Sequence, residues 1–249
     1  MLLLDVGNSA IKGQWWRGGE LLHSFSCRFN VNWQSRLLSI LSEINAEQCH
    51  YASVADPQLE NQLLACLNQC FAADAQFRLL TQKTFAGVRN GYTKPESLGV
   101  DRWLALLGAA DFAPVDKLIV DAGSAITVDL LTQSGEHLGG AILPGFNTSI
   151  KQFKNIMRKA DFNHPDIQNI IEPGCSTEAC IQLNCGSRLT DESMVAGLIE
   201  RWFKRLAPGA LLIVTGGDIE KIKSHGPHRR YEIPDLIFRG MRKQLEYQE

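Results

Sequence analysis

Asp5-Val6-Gly7-Asn8-Ser9-Ala10-Ile11 is answered by Asp121-Ala122-Gly123-Ser124-Ala125-Ile126-Thr127, and this pair of stretches decides the fold. The offset is 116 residues, and it also carries Gly19-Glu20 onto Gly135-Glu136, Leu22 onto Leu138 and the apolar lead-in Leu2 to Leu4 onto Leu118 to Val120. Self-similarity at a fixed spacing means that one supersecondary unit has been used twice. Each copy reads as a strand ending in Asp-x-Gly, a tight turn, a second strand (Ala10 to Trp16; Ala125 to Thr132), a glycine turn and a third strand. One ungapped register is expected to serve both copies.

The rest of the chain is consistent with two folded halves, 1–115 and 116–249. It has 249 residues, 45% of them apolar and 21% charged, which excludes disorder, collagen and coiled coil and leaves ample chain for a core. Twenty-five basic against 27 acidic residues give a net charge of -2, which argues against a surface devoted to nucleic acid or anionic lipid. Met1-Leu2-Leu3-Leu4-Asp5 lacks a basic leader and meets a carboxylate after three leucines, so neither a signal peptide nor a membrane anchor is expected. Seven cysteines, an odd number, point to free thiols in the reducing cytosol.

After the first meander, Trp33, Leu37, Leu41 and Ile44 recur at helical spacing, and Cys49 to Val54 reads as a buried strand. Pro57 suits a first helical turn, followed by Leu59, Leu63, Cys66, Leu67 and Cys70, and Phe77 to Thr81 reads as a strand. A polar loop from Thr84 to Leu98 leads to a helix holding Asp101 to Phe112. The second half repeats the plan, with helices from Thr148 through Met157, from Ser176 and from Asp191 to Leu206, a core strand Leu211 to Thr215, and a last helix carrying Leu236, Phe238, Met241 and Leu245. His225 to Arg230 could contact phosphates, but it reads better as a solvated loop.

Four features carry chemistry. An Asp-x-Gly turn frees backbone N–H groups for an anion and sets a carboxylate beside it, a pattern suited to a nucleotide phosphate with magnesium; Asp-Gly also makes plain hairpin turns, but the duplication favours the phosphate reading. Lys12, on the strand that follows, adds a point charge for a transferring phosphoryl group. Gly216-Gly217-Asp218 after Leu211 to Val214 lets adenosine lie against backbone, or merely turns the strand towards a helix. Gly99-Val100-Asp101-Arg102-Trp103 opens a helix, where Asp101 can accept a hydroxyl proton and Arg102 can hold a carboxylate; otherwise Asp101 is a first-turn acid and Arg102 points to solvent. Cys66 and Cys70 read as small hydrophobes rather than metal ligands.

Taken together, the residues resemble the type III pantothenate kinases of the actin-like ATPase and sugar kinase superfamily. Asp5 to Lys12 is similar to the family's first phosphate motif, Asp121 to Asp129 to its second, and Tyr92 through Arg102 to its pantothenate segment. Gly139 to Gly145 and Thr215 to Asp218 match as well, whereas Ser9, Ser124 and Ile126 stand where threonine is usual. The resemblance implies an α/β fold of two duplicated ribonuclease-H-like domains, each a mixed five-stranded sheet with an antiparallel meander flanked by helices. It implies ATP-dependent phosphorylation of pantothenate to 4'-phosphopantothenate, the first step of coenzyme A biosynthesis. Asp5, Val6, Gly7, Asn8, Ser9, Ala10, Ile11, Lys12, Ser124, Gly216 and Gly217 would bind ATP. Asp5 would hold magnesium, and Asp121 a monovalent cation, potassium or ammonium. Tyr92, Gly99, Val100, Asp101 and Arg102 would contact pantothenate, with Asp101 as catalytic base, and Thr177 would reach it from the neighbouring subunit of a cytoplasmic homodimer. The residues themselves leave open a kinase of the same superfamily acting on another hydroxy acid or sugar, and a regulatory homologue without catalysis.

Overall fold

The computed structural model describes residues 1–156, 188–222 and 228–246. Within them two compact units form: Met1–Phe112 with Ser134–His137 and the segment from Asp235 make the first, and residues within Ala113–Gln133 and Leu138–Pro234 make the second. Each is built on a five-stranded sheet, and the two sheets share one strand order.

In the first unit, β1 (Leu2–Val6), β2 (Ala10–Arg17), β3 (Glu20–Arg28), β4 (Cys49–Ser53) and β5 (Gln76–Arg78) lie in the order β3-β2-β1-β4-β5. β1 is antiparallel to β2 and parallel to β4. The alternation of β1 sends Leu2, Leu4 and Val6 to one face, where Ile11 joins them against Trp33, Leu37 and Leu41 of α1 (Trp33–Ser42) and Leu63, Cys66 and Leu67 of α2 (Pro57–Leu67). Helix α2 starts where Asp56 accepts the N–H groups of Gln58 and Leu59 and Pro57 fills the first turn. The expected loop Thr84 to Leu98 contains a small hairpin, β6 (Thr84–Phe85) and β7 (Val88–Arg89), before α3 (Val100–Ala110).

The second unit holds β8 (Lys117–Ala122), β9 (Ala125–Leu131), β10 (His137–Pro144), α4 (Phe146–Ile156), α5 (Arg188–Phe203), β11 (Leu211–Thr215) and β12 (Arg229–Glu232), with sheet order β10-β9-β8-β11-β12. His137, the first residue of β10, belongs to the first unit. Leu118, Val120, Ile126, Val128, Leu212 and Val214 build the core of the second unit with Val195, Ile199 and Phe203 of α5. Arg229 and Arg230, read from sequence as loop, lie in β12, which pairs in parallel with β11. The strand is short and charged because it is an edge, where charge is tolerated and apolar patterning is not required.

Helix α6 (Leu236–Glu246) returns to the first unit and packs on α3. The crossing is close because two glycines meet backbone: a side chain on Gly108 would strike the Leu236 carbonyl, and one on Gly240 the Leu104 carbonyl. Lys243 donates to Asp111 at 2.7 Å, and Arg242 lies 4.2 Å over the Trp16 ring. Trp15 and Trp16 flank a bulge in β2 and are each half-buried.

The ungapped register does not survive the strand pairing. Asp5 faces Lys12 and Val6 faces Ile11, whereas Asp121 faces Thr127 and Ala122 faces Ile126. The second turn is therefore one residue shorter, and β2 maps onto β9 at an offset of 115. Hydrogen bonds agree: the Ser9 carbonyl accepts the Phe29 N–H at 3.0 Å, and the Ser124 carbonyl accepts the Gly145 N–H at 3.0 Å. Ser9 and Ser124 are thus the equivalent residues. Side-chain similarity hid the step because Ser-Ala-Ile recurs in both copies one position apart.

Candidate active site

The first turn is set by the end of β1. Gly7 donates its N–H to the Ala10 carbonyl at 3.1 Å, and the turn displays Asn8 and Ser9 to solvent. Residues directly opposite in an antiparallel ladder share a face, so the Asp5 carboxyl and Lys12 ammonium leave the sheet side by side. Val6 and Ile11 are buried in the core, so only their backbone is available to a ligand.

At this same end of the sheet the Val6 carbonyl accepts the Val54 N–H at 3.0 Å, and Val54 lies against Gly99 at the start of α3. The carboxyl ends of parallel strands are where open α/β sheets bind ligands. Asp101 stands in the first turn of α3 and its carboxylate accepts the Arg102 N–H at 2.8 Å, the positive end of the helix dipole. Gly99 makes room for it, since a side chain there would meet the Asp101 carboxylate. Arg102 does not point to solvent. It is 4% exposed, donates to the Tyr92 hydroxyl at 2.9 Å and lies 5.7 Å from the Tyr92 ring centroid. Val100 is buried.

Tyr92 is held by residues that its motif does not include. Asn90, fully buried, accepts the Tyr92 N–H at 2.9 Å and donates to the Pro95 carbonyl at 3.1 Å, and Lys83 donates to the carbonyls of Asn90 and Tyr92 at 3.1 and 3.2 Å. The His137 ring stacks on Tyr92 with 6.0 Å between centroids and 10° between planes. Asn90 ahead of a Pro-containing turn was a readable signal for the loop; the His137 stack, made from 45 residues away along the chain, was not.

In the second unit, Gly123 donates to the Ala125 carbonyl at 3.0 Å, and the Ser124 carbonyl also accepts the Thr148 hydroxyl at 2.7 Å from the first turn of α4. After β11, Gly216 adopts φ 98°, a conformation that side chains avoid. A Cβ on Gly216 would meet the Asp121 carboxylate and the Ala122 carbonyl, so the two oxygens converge on the space that glycine leaves open. Asp218 closes the turn by donating its N–H to the Ala122 carbonyl at 2.9 Å and accepting from Lys221 at 2.7 Å.

Asp5 to Lys12 and Tyr92 to Arg102 thus belong to the first unit, and Asp121, Ser124, Gly216 and Gly217 to the second. Thr177 lies outside the described residues. Oxygen donors of this kind suit hard cations: one carboxylate at Asp5 together with phosphate oxygens fits magnesium, and the carboxylate-carbonyl pair facing Gly216 fits a monovalent cation. Among the described residues no group of three or more His, Cys, Asp and Glu could hold a metal unaided, and no helix is long and apolar enough to cross a membrane.

Comparison with known proteins gives the family and the fold. The chain is 30% identical over 248 residues to a type III pantothenate kinase of Pseudomonas aeruginosa strain LESB58, covering 97% of both chains. It is 35% identical over 225 residues to one from Halorhodospira halophila, covering 87% of this chain and 86% of the other. Among solved structures, the (R)-2-hydroxyglutaryl-CoA dehydratase component A of Acidaminococcus fermentans shares the fold, with TM-score 0.55 at 14% identity over 99% of this chain and 96% of that one. The type III pantothenate kinase family model matches residues 1–201, and with relatives of this similarity along nearly the whole chain, the protein belongs to that family.

Proposed function

We propose that the chain transfers the γ-phosphoryl group of ATP to the terminal hydroxyl of pantothenate, giving 4'-phosphopantothenate and ADP, the first step of coenzyme A biosynthesis. Family membership supports the reaction, and the observation that carries its assignment to residues is the start of α3, where Asp101 and the buried Arg102, bonded to half-buried Tyr92, stand at the carboxyl end of the first sheet.

Arg102 presents a guanidinium already fixed by the Tyr92 hydroxyl, so little side-chain freedom is lost when it receives the pantothenate carboxylate. Asp101 is a catalytic residue that aligns the acceptor hydroxyl and takes its proton as oxygen attacks phosphorus and the bond to the ADP oxygen breaks. Gly99 and the backbone of Val100 complete the acceptor segment. In the first unit Asp5 to Lys12 serve the phosphates, with Lys12 neutralising charge on the transferring group. In the second unit Ser124, Gly216 and Gly217 serve the nucleotide. Magnesium at Asp5 and potassium or ammonium at Asp121 would, when bound, supply positive charge to the phosphates. Thr177 is assigned to the acceptor from the partner subunit of a homodimer, and the protein to the cytoplasm.

The test is ATP consumption by the full chain with and without pantothenate and potassium, run against a panel of hydroxy acids and sugars. Consumption that requires pantothenate is the expected result. Turnover of another acceptor in preference, or none with any, would defeat the reading.

A further inference from the structure

We propose that His137 is a positioning residue for the acceptor: by stacking on Tyr92 it fixes the ring whose hydroxyl holds Arg102. The proposal rests on the acceptor reading given above. His137 is 3% exposed, and its ring is nearly parallel to that of Tyr92. Asn90 and Lys83 already fix the Tyr92 backbone. What they leave free is rotation of the side chain, which decides where the hydroxyl points. On the ring, His137 contributes a flat face and Arg102 a hydrogen bond at 2.9 Å, so the three side chains form one relay from His137 to the guanidinium.

The turn that leads into His137 is itself pinned to the strand leading into Tyr92. Arg89 donates its N–H to the Gly135 carbonyl at 2.8 Å, and its guanidinium pairs with Glu136 at 3.4 Å. Arg89 and Tyr92 on one segment therefore face Gly135, Glu136 and His137 on the other. Between β9 and β10 this turn serves the acceptor side, although β9 begins beside Ser124 at the second phosphate-type turn.

A residue that only stabilised the fold would not separate the two substrates. With the full chain, His137→Ala is expected to raise the KM for pantothenate roughly three- to tenfold, the loss of one aromatic pair. The KM for ATP and kcat should hold to within about twofold, because uniform acceptor binding is what is lost. His137→Phe, which keeps a flat ring, should restore the pantothenate KM. If His137→Ala does not fold, His137→Gln replaces it in the comparison with His137→Phe and is expected to carry the same defect. An unchanged pantothenate KM, an equal rise for ATP, or failure of the Phe variant to recover would overturn the proposal. A wild-type protein that does not turn over pantothenate defeats the functional reading and this one with it; normal wild-type turnover with an unaffected variant defeats this one alone.

Discussion

The two Asp-x-Gly turns are built on one frame and differ by one residue in opposite senses. The turn after β1 has an extra residue and sets Lys12 across from Asp5; the turn after β8 is shorter and sets Thr127 across from Asp121. The exit from the neighbouring parallel strand compensates. The Val6 carbonyl meets Val54, two residues beyond the partner of Asp5, while the Ala122 carbonyl meets Asp218, three beyond the partner of Asp121. The first copy thereby acquires a cation and a neighbour in α3, and the second a glycine pressed on its carboxylate. One frame serves both copies, and single-residue length changes give the two turns different neighbours; under the proposed function the first is the phosphoryl-transfer end and the second the nucleotide-holding end.

The largest break in this comparison is Asp101→Asn, which should keep the fold and ATP binding while kcat falls roughly 10²- to 10⁴-fold, measured by coupled assay and thermal melt. Next comes Lys12→Ala, expected to cost roughly a hundredfold in kcat, against a much smaller loss for Thr127→Ala at the matching position. Equal effects would show that the two turns are not specialised.

Gly216→Ala tests the second turn. Forcing a side chain to φ 98° against Asp121 should cost about 1–3 kcal/mol and raise the KM for ATP, leaving the pantothenate KM unaffected. Gly240→Ala should destabilise the first unit by about 1–3 kcal/mol, seen in denaturant unfolding, because its new methyl meets the Leu104 backbone rather than a movable side chain.

A last test separates the units by pH. Buried thiols among the described residues, Cys27, Cys49 and Cys66, all lie in the first unit. Burial pushes the Cys49 thiol from 9.0 up to about 12. Ionisation is then easier in the unfolded chain, so this contribution to stability is complete below pH 9 and is lost as pH rises from 9 towards 12. A melt series across that range should show the loss in wild type and less of it in Cys49→Ala measured against its own neutral-pH value.

Much of this was legible in the chain. The repeat, the meanders and the helix spacing of Trp33, Leu37 and Leu41 follow from periodicity, because one buried face imposes it wherever the element lies. The placement of Asp5, Lys12, Asp101 and Arg102 at strand ends and a helix start was legible as well, since turn and helix-start signals are local. β12 was not, because an edge strand needs no apolar pattern, and the one-residue step between the turns was masked by Ser-Ala-Ile in both copies.

Sequence by itself therefore determined the family, the duplicated plan and the residue types at each turn. Tertiary structure decided which residues meet: Arg102 turned inward onto Tyr92, His137 stacked from a distant turn, and α6 drawn back onto α3 by two facing glycines. The reason is physical. Local patterns record which face of an element is buried, whereas partners far apart in the chain are chosen by packing, where a missing Cβ or a parallel ring matters only once both sides are in place.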